Sequence, residues 1–185
     1  AYPGHNSDFA FRHLSEKYFS EGLEQEDYLD EAQKFEKKVM DSYPSLLFEW
    51  YLSMEKRDPL FKTKLGGFYF SGERKAGVSQ DKKKGIEYLS AAATQGEHNA
   101  VLYLAEYYYE KCQYLFKGKA NKENFFKWAK VASSIRISVH GNHMNSNVAN
   151  AYGHYYLYYA YLKGLGCEKD KDKQRYHLEK AARSG

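Results

Sequence analysis

Residues 77–96 read GVSQDKKKGIEYLSAAATQG, in the order of a loop, an N-cap residue, an amphipathic helix and a glycine stop. Residues 166–185, GCEKDKDKQRYHLEKAARSG, follow the same order. In both segments an Asp precedes an Ala-Ala pair, and a Gly closes the segment. Self-similarity on this scale is typical of repeat folds, in which neighbouring units bury a shared core. The sequence therefore predicts a helical repeat protein.

A third, weaker copy lies between these two. Asn121 stands where the others have Asp81 and Asp170, and Trp128 stands where the first has Tyr88. All three caps are residue types that satisfy the free backbone donors at a helix start. Each copy follows a helical segment with a Leu and, four positions later, a Tyr: Leu65 and Tyr69, Leu104 and Tyr108, Leu157 and Tyr161. The small residues after the first two of these leucines, Gly66 and Ala105, predict close approach of the paired helix.

These residues resemble the Sel-one-like repeat, a class of tetratricopeptide-like helical repeat. Residues 77–96 follow its pattern with Gly85 in place of Ala, and residues 164–185 follow it through the loop and second helix. The middle copy departs from it at Lys111, Asn121 and Ser133. The resemblance covers residues 60–185.

The resemblance implies an all-α fold, a right-handed α-solenoid of antiparallel helix pairs with an N-terminal helical cap. We assign residues 60–97, 98–141 and 148–185 to three repeats. Residues 1–59, with helices predicted near 9–20, 24–41 and 45–56, form either a divergent repeat or the cap. Ends of such stacks are modified because the last unit would otherwise leave an apolar face open. All of these segments are expected to form one continuous domain.

The composition fits a soluble globular domain: 185 residues, 43% hydrophobic and 28% charged. A net charge of +4 is small, and the main basic run, Lys82–Lys84, lies in a helix first turn, so we expect no nucleic-acid partner. No segment has the roughly 18 consecutive apolar residues of a membrane span. A cleaved secretory signal would account for the start at Ala1, which favours a periplasmic or exported location over a cytoplasmic one.

The chain offers few candidates for catalysis or metal binding. His140, His143 and His154 form the one histidine cluster, and they lack the additional ligands that zinc requires. Neither a nucleophile elbow nor a phosphate-binding loop is present. We expect no enzymatic activity, no cofactor and no metal. Cys112 and Cys167 leave two alternatives open, one disulfide in an oxidising compartment or two buried thiols.

The resemblance implies that the chain is a scaffold or adaptor that binds another protein through the concave face of the repeats. Some bacterial relatives are exported adaptors or immunity proteins that neutralise an effector. If Leu104 and Ala105 face the paired helix, neighbouring side chains must point elsewhere. This register predicts a partner-binding set: Lys64, Phe68, Tyr103, Glu106, Tyr107, Tyr156 and Tyr159.

The high tyrosine content, 19 residues, permits two other interpretations of this set. Each Tyr can instead be packing material, since its ring suits a core and its hydroxyl tolerates a wet edge. Exposed Tyr rings could also stack on sugars, which would make the chain a glycan-binding module.

Overall fold

The computed structural model describes residues 34, 38, 41–114, 118–136 and 144–184, and these ranges contain α-helices and no strand. The helices are α1 (Pro44–Met54), α2 (Pro59–Ser71), α3 (Lys82–Thr94), α4 (His98–Tyr114), α5 (Lys119–Ser133), α6 (Met144–Lys163) and α7 (Lys171–Ser184), with a 3-10 turn at Arg74–Ala76. The predicted all-α class is confirmed for this part of the chain. The helix predicted at 9–20 and most of that at 24–41 lie outside it. None of the described helices is long and apolar enough to cross a bilayer.

Each helix from α1 to α7 packs against the next one in sequence, and α4 also packs against α6. One buried cluster joins α1, α2 and the loop residue Val78 around Leu47, Leu65 and Phe68. A second joins α3 to α6 around Leu104, Phe125 and other residues that are almost fully buried. Side chains at helical spacing on one face of each helix from α1 to α6 therefore build the interior.

The predicted caps Asp81 and Asp170 are confirmed. Oδ1 of Asp81 accepts a hydrogen bond from the backbone N–H of Lys84 at 2.9 Å, and Oδ1 of Asp170 accepts one from Lys173 at 2.9 Å. The backbone N–H of Asp81 donates to the carbonyl of Tyr69 at 2.7 Å, as that of Asp170 does to Tyr161 at 3.4 Å. The loop is thus tied to the preceding helix in the same way at both places.

The first and third predicted repeats also share an aromatic contact between their two helices. The rings of Tyr69 and Tyr88 stack with centroids 5.5 Å apart, and those of Tyr161 and His177 stack at 5.6 Å. A lysine ammonium lies over the tyrosine ring in each case, Lys84 at 4.0 Å and Lys173 at 5.4 Å. The similarity seen in the sequence extends to the position of side-chain atoms.

The middle predicted repeat differs from what its sequence predicts. The helix begins at Lys119 with Gly118 as N-cap, so Asn121 lies in the first turn and its predicted capping role is wrong. The helix ends at Ser133, and the Ser134 hydroxyl donates to the carbonyl of Val131 at 2.7 Å. A serine that bonds a nearby carbonyl competes with continued helix. Helix α6 begins at Met144, which is earlier than residue 148, where the third predicted repeat starts.

Close approach of α2 and α3 depends on two glycines. A Cβ placed on Gly66 would lie 2.8 Å from Cγ of Leu89, and one on Gly85 would lie 2.9 Å from the carbonyl oxygen of Gly66. Both distances are shorter than van der Waals contact. The spacing role predicted for Gly66 is confirmed.

Candidate functional site

A groove of about 800 Å³ lies between α2 and α4. From α2 it is lined by Lys64, Gly67, Phe68 and Ser71, and from α4 by Asn99, Tyr103, Glu106, Tyr107 and Glu110. On each helix these positions recur every three or four residues, so they form one stripe along the helix. The groove therefore runs along two helices that belong to successive predicted repeats.

Contacts near both ends hold α2 and α4 in register. Near the start of α2, the Thr63 hydroxyl donates to Oε2 of Glu97 at 2.7 Å, and Glu97 also accepts from the N–H of Ala100, in the first turn of α4, at 2.7 Å. Near the end of α2, the Phe70 and Tyr107 rings meet edge to face at 5.4 Å. The starts of α2 and α4 are in contact, and so are later turns of both helices, so the two helices run in the same direction. These contacts join the two helices near both ends of the groove.

Gly67 keeps the middle of the groove open. A Cβ placed on Gly67 would have no atom within 4 Å, whereas one on the neighbouring Gly66 would clash with Leu89. Glycine inside a helix costs about 0.5–1 kcal/mol relative to alanine. Packing within the described residues gives no reason for this cost at Gly67. What the absent side chain provides is space.

Aromatic rings form the floor and one wall. Phe68 is 5% exposed and packs against the rings of Phe48 at 5.3 Å and Tyr51 at 5.8 Å. Tyr107 is half-buried, and Tyr103 is 58% exposed. The floor is therefore part of the core, whereas more than half of Tyr103 is exposed.

The groove is acidic although the chain as a whole carries a net charge of +4. Its lining includes three carboxylates, Glu73, Glu106 and Glu110, and one ammonium, Lys64. Within the described ranges, neither Glu106 nor Glu110 takes part in an ion pair. The local charge is thus opposite in sign to the average of the chain.

Five of the seven residues predicted to bind a partner come together in this groove: Lys64, Phe68, Tyr103, Glu106 and Tyr107. The other two, Tyr156 and Tyr159, lie on α6 and do not line it. Their rings pack against Tyr109, each at a centroid distance of 5.1 Å. Tyr156 is only 4% exposed, and burial, reinforced by the Glu106 carboxylate, raises the pKa of its phenol. Tyr156 is therefore a packing residue of the core, as the alternative interpretation of the tyrosines had it.

Several groove residues were not in the predicted set, among them Gly67, Asn99 and Glu110. Asn99 and Glu110 extend the stripe of Tyr103 and Glu106 by one turn each, so continuing the helical period along α4 would have found them. Gly67 could have been found from a different feature of the sequence. It is a second helical glycine beside Gly66, with no role in the repeat pattern.

The two cysteines are not bonded to each other and both are half-buried. Burial raises the pKa of both the Cys112 and the Cys167 thiol. A raised pKa lowers the fraction of reactive thiolate at neutral pH. Both cysteines are thiols in this structure, and a disulfide between them in an oxidising compartment stays a prediction.

Of the three histidines considered as a cluster, His140 and His143 lie outside the described residues, and His154 pairs with His177. Their Nδ1 atoms are 2.9 Å apart across the contact between α6 and α7. Burial lowers the pKa of His154, and burial together with the nearby His154 and Lys173 lowers that of His177 to about 4. Within the described ranges, no three histidine, cysteine or carboxylate side chains converge as metal ligands would.

The groove thus combines an apolar floor, an exposed tyrosine and carboxylates. No protein-family model matches the chain, and no curated protein matches it significantly.

Proposed function

We propose that this chain is a non-enzymatic scaffold of Sel-one-like repeats that binds another protein through the groove between α2 and α4. The all-helical fold supports the proposal, as do the Asp caps and ring stacks that recur in the first and third predicted repeats. In a solenoid built from such units, the first helix of each pair would line one continuous face.

The observation that carries the proposal is the open space over Gly67, beside the exposed Tyr103 ring. Binding sites are concave and mostly apolar, with a few polar groups that fix the ligand. Tyr is enriched among the residues that dominate binding energy at protein interfaces. Thr63 and Glu97 hold the helices in place, so little ordering has to accompany binding.

The dimensions of the groove suit a short polypeptide segment. The stripe from Asn99 to Glu110 rises about 16 Å along α4 at 1.5 Å per residue. An extended chain of about five residues, or about three turns of helix, has this length.

Sugar stacking fits the groove less well. A glycan needs the open face of a ring, and the Tyr107 ring has the Lys111 ammonium 5.5 Å from its centroid and the Phe70 ring against it. Tyr103 alone among the aromatic residues of the lining is largely exposed. A single ring offers a weak platform for a carbohydrate.

The test fills the groove without altering the core. Gly67→Trp places an indole in the open space, and Gly67→Ala, the matched control, adds a methyl group only. Both variants and the parent chain are immobilised and exposed to an extract of the source cells, and the retained proteins are identified by mass spectrometry. A retained candidate is then purified, and its affinity for the three chains is measured directly.

We expect a partner that binds the parent and Gly67→Ala, and that Gly67→Trp does not retain. Circular dichroism of the Trp variant checks that its helices are intact. If every retained protein binds all three chains equally, the groove is not the binding site and the proposal fails. Groove-dependent retention of polysaccharide instead of protein would favour the glycan module.

A further inference from the structure

We propose that the segment bound in this groove is basic, with an arginine or lysine beside an apolar anchor. The inference rests on the proposed function and adds the chemistry of the partner. It is carried by the charges, the exposed ring and the floor of the groove.

The charges favour a cationic ligand. The carboxylates of Glu106 and Glu110 stand one turn apart on the α4 side, and neither is engaged in an ion pair within the described ranges. On the α2 side the lining has one charged residue, Lys64. Like charges brought together across an interface are costly, so an acidic segment would be rejected here. An acidic groove on a chain of net charge +4 also directs a basic segment to this face.

Ring and carboxylate positions favour the same ligand. Tyr103 and Glu106 are three residues apart on α4 and therefore adjacent on one face. A guanidinium that bonds the carboxylate can lie on the exposed tyrosine ring at the same time. Arginine satisfies both contacts better than lysine, because its planar group stacks and bonds together.

An apolar anchor is required by the floor. Besides the open space at Gly67, the groove has an apolar lining that includes Phe68, Leu89 and Leu102. A segment with charged residues only would place charge against this apolar surface, which matches it poorly. One Leu, Ile or Phe on the ligand would fill the space that Gly67 leaves.

The experiment selects peptides of about 12 residues, long enough to span the stripe, from a random display library. Selection is made on the parent chain, and sequences that also bind Gly67→Trp are removed. An enriched peptide is synthesised with a fluorophore, and its dissociation constant is measured by anisotropy. The same measurement is made with the double variant Glu106→Gln, Glu110→Gln and with the control Glu87→Gln, whose exposed carboxylate lies on α3 outside the groove.

We expect the enriched peptides to carry net positive charge and at least one large apolar residue. The double variant should bind them about tenfold more weakly or worse, with a smaller dependence on salt, and the control should bind them as the parent does. Enriched peptides that are neutral or acidic, or unchanged affinity in the double variant, would overturn the inference and leave the groove as a binding site. A selection that yields no groove-dependent peptide would count against the proposed function itself.

Discussion

Gly153 provides the sharpest test of the packing described above. It is buried on α6 where this helix meets the end of α5. A Cβ at this position would lie 2.5 Å from the carbonyl carbon of Ala132 and 2.8 Å from its Cβ, and closer still to the backbone nitrogen of Ser133. None of these atoms can move by a side-chain rotation. Since ordinary contact begins near 3.4 Å, Gly153→Ala requires a shift of about 0.9 Å or more between the helices.

The cost of this shift can be worked out from the contacts it loosens. A gap of 0.5–1 Å forfeits about a quarter to a half of the dispersion energy of a contact, and overpacking costs about 1–3 kcal/mol or more. The shift also stretches two hydrogen bonds that the Asn150 amide donates to α5 and its end, to Ser133 at 2.9 Å and Ile135 at 2.8 Å. The better helix propensity of alanine returns about 0.5–1 kcal/mol. We expect a net loss of about 2–3 kcal/mol in the free energy of unfolding.

The assay is thermal and urea unfolding followed by circular dichroism, with Gly67→Ala as the control. A loss of this size should lower the Tm by about 4–12 °C for a chain of this length. The control makes the same substitution in open space and should raise the Tm by about 1–4 °C. If Gly153→Ala is as stable as the parent, or if both variants shift the Tm in the same direction, the spacing argument is wrong.

Three further predictions use other parts of the fold. Acid should destabilise the chain, because His154 and His177 have folded pKa values below the ordinary 6.5 and the unfolded chain therefore binds more protons between about pH 6.5 and 4. This stability is present above pH 6.5 and is lost as the pH falls towards 4. Allowing for solvent screening, we expect the free energy of unfolding to fall by about 1–2 kcal/mol over this range. Urea midpoints measured against pH check this, and His177→Gln should flatten the profile. Leu89→Ala should lower the free energy of unfolding by about 2–4 kcal/mol, because Leu89 is 5% exposed. Leu178 occupies the equivalent position of the third predicted repeat but is 47% exposed, so Leu178→Ala should lower it by less than about 1 kcal/mol. Equal losses in urea unfolding would contradict the dependence on burial. Asp81→Ala should lower the free energy of unfolding by about 1 kcal/mol and speed amide hydrogen exchange in the first turn of α3, while Asp81→Asn should keep most of the cap. Equal exchange rates in the parent and both variants would argue against the capping role of Asp81.

Features set by local chemistry were predictable from the sequence. An Asp before a helical stretch accepts a backbone N–H of the first turn wherever the helix starts, so Asp81 and Asp170 could be assigned as caps without knowing the fold. The spacing role of Gly66 could be predicted because the repeat pattern places the paired helix next to it. Asn121 shows the limit of this reasoning, since Gly118 opens the helix three residues earlier.

Features that depend on two distant segments were not predictable in this way. Whether a Tyr is exposed depends on the helix opposite it: Tyr103 faces the groove, while Tyr156 packs against Tyr109 from α4 and Phe125 from α5. The role of Gly67 likewise depends on how far α4 stands from α2. Helical spacing locates a face, but the separation of two faces is a tertiary property.

The groove also divides its residues by what a substitution would cost. Phe68 belongs to the floor and to the core at once, so a change there loses the fold together with the site. Tyr103 and Glu106 stand at the rim, where exposed side chains contribute little to stability. Under the proposed function, mutations at the rim would therefore exchange one partner for another while the fold stays intact. The same division would make the rim the place to redesign binding specificity in the laboratory.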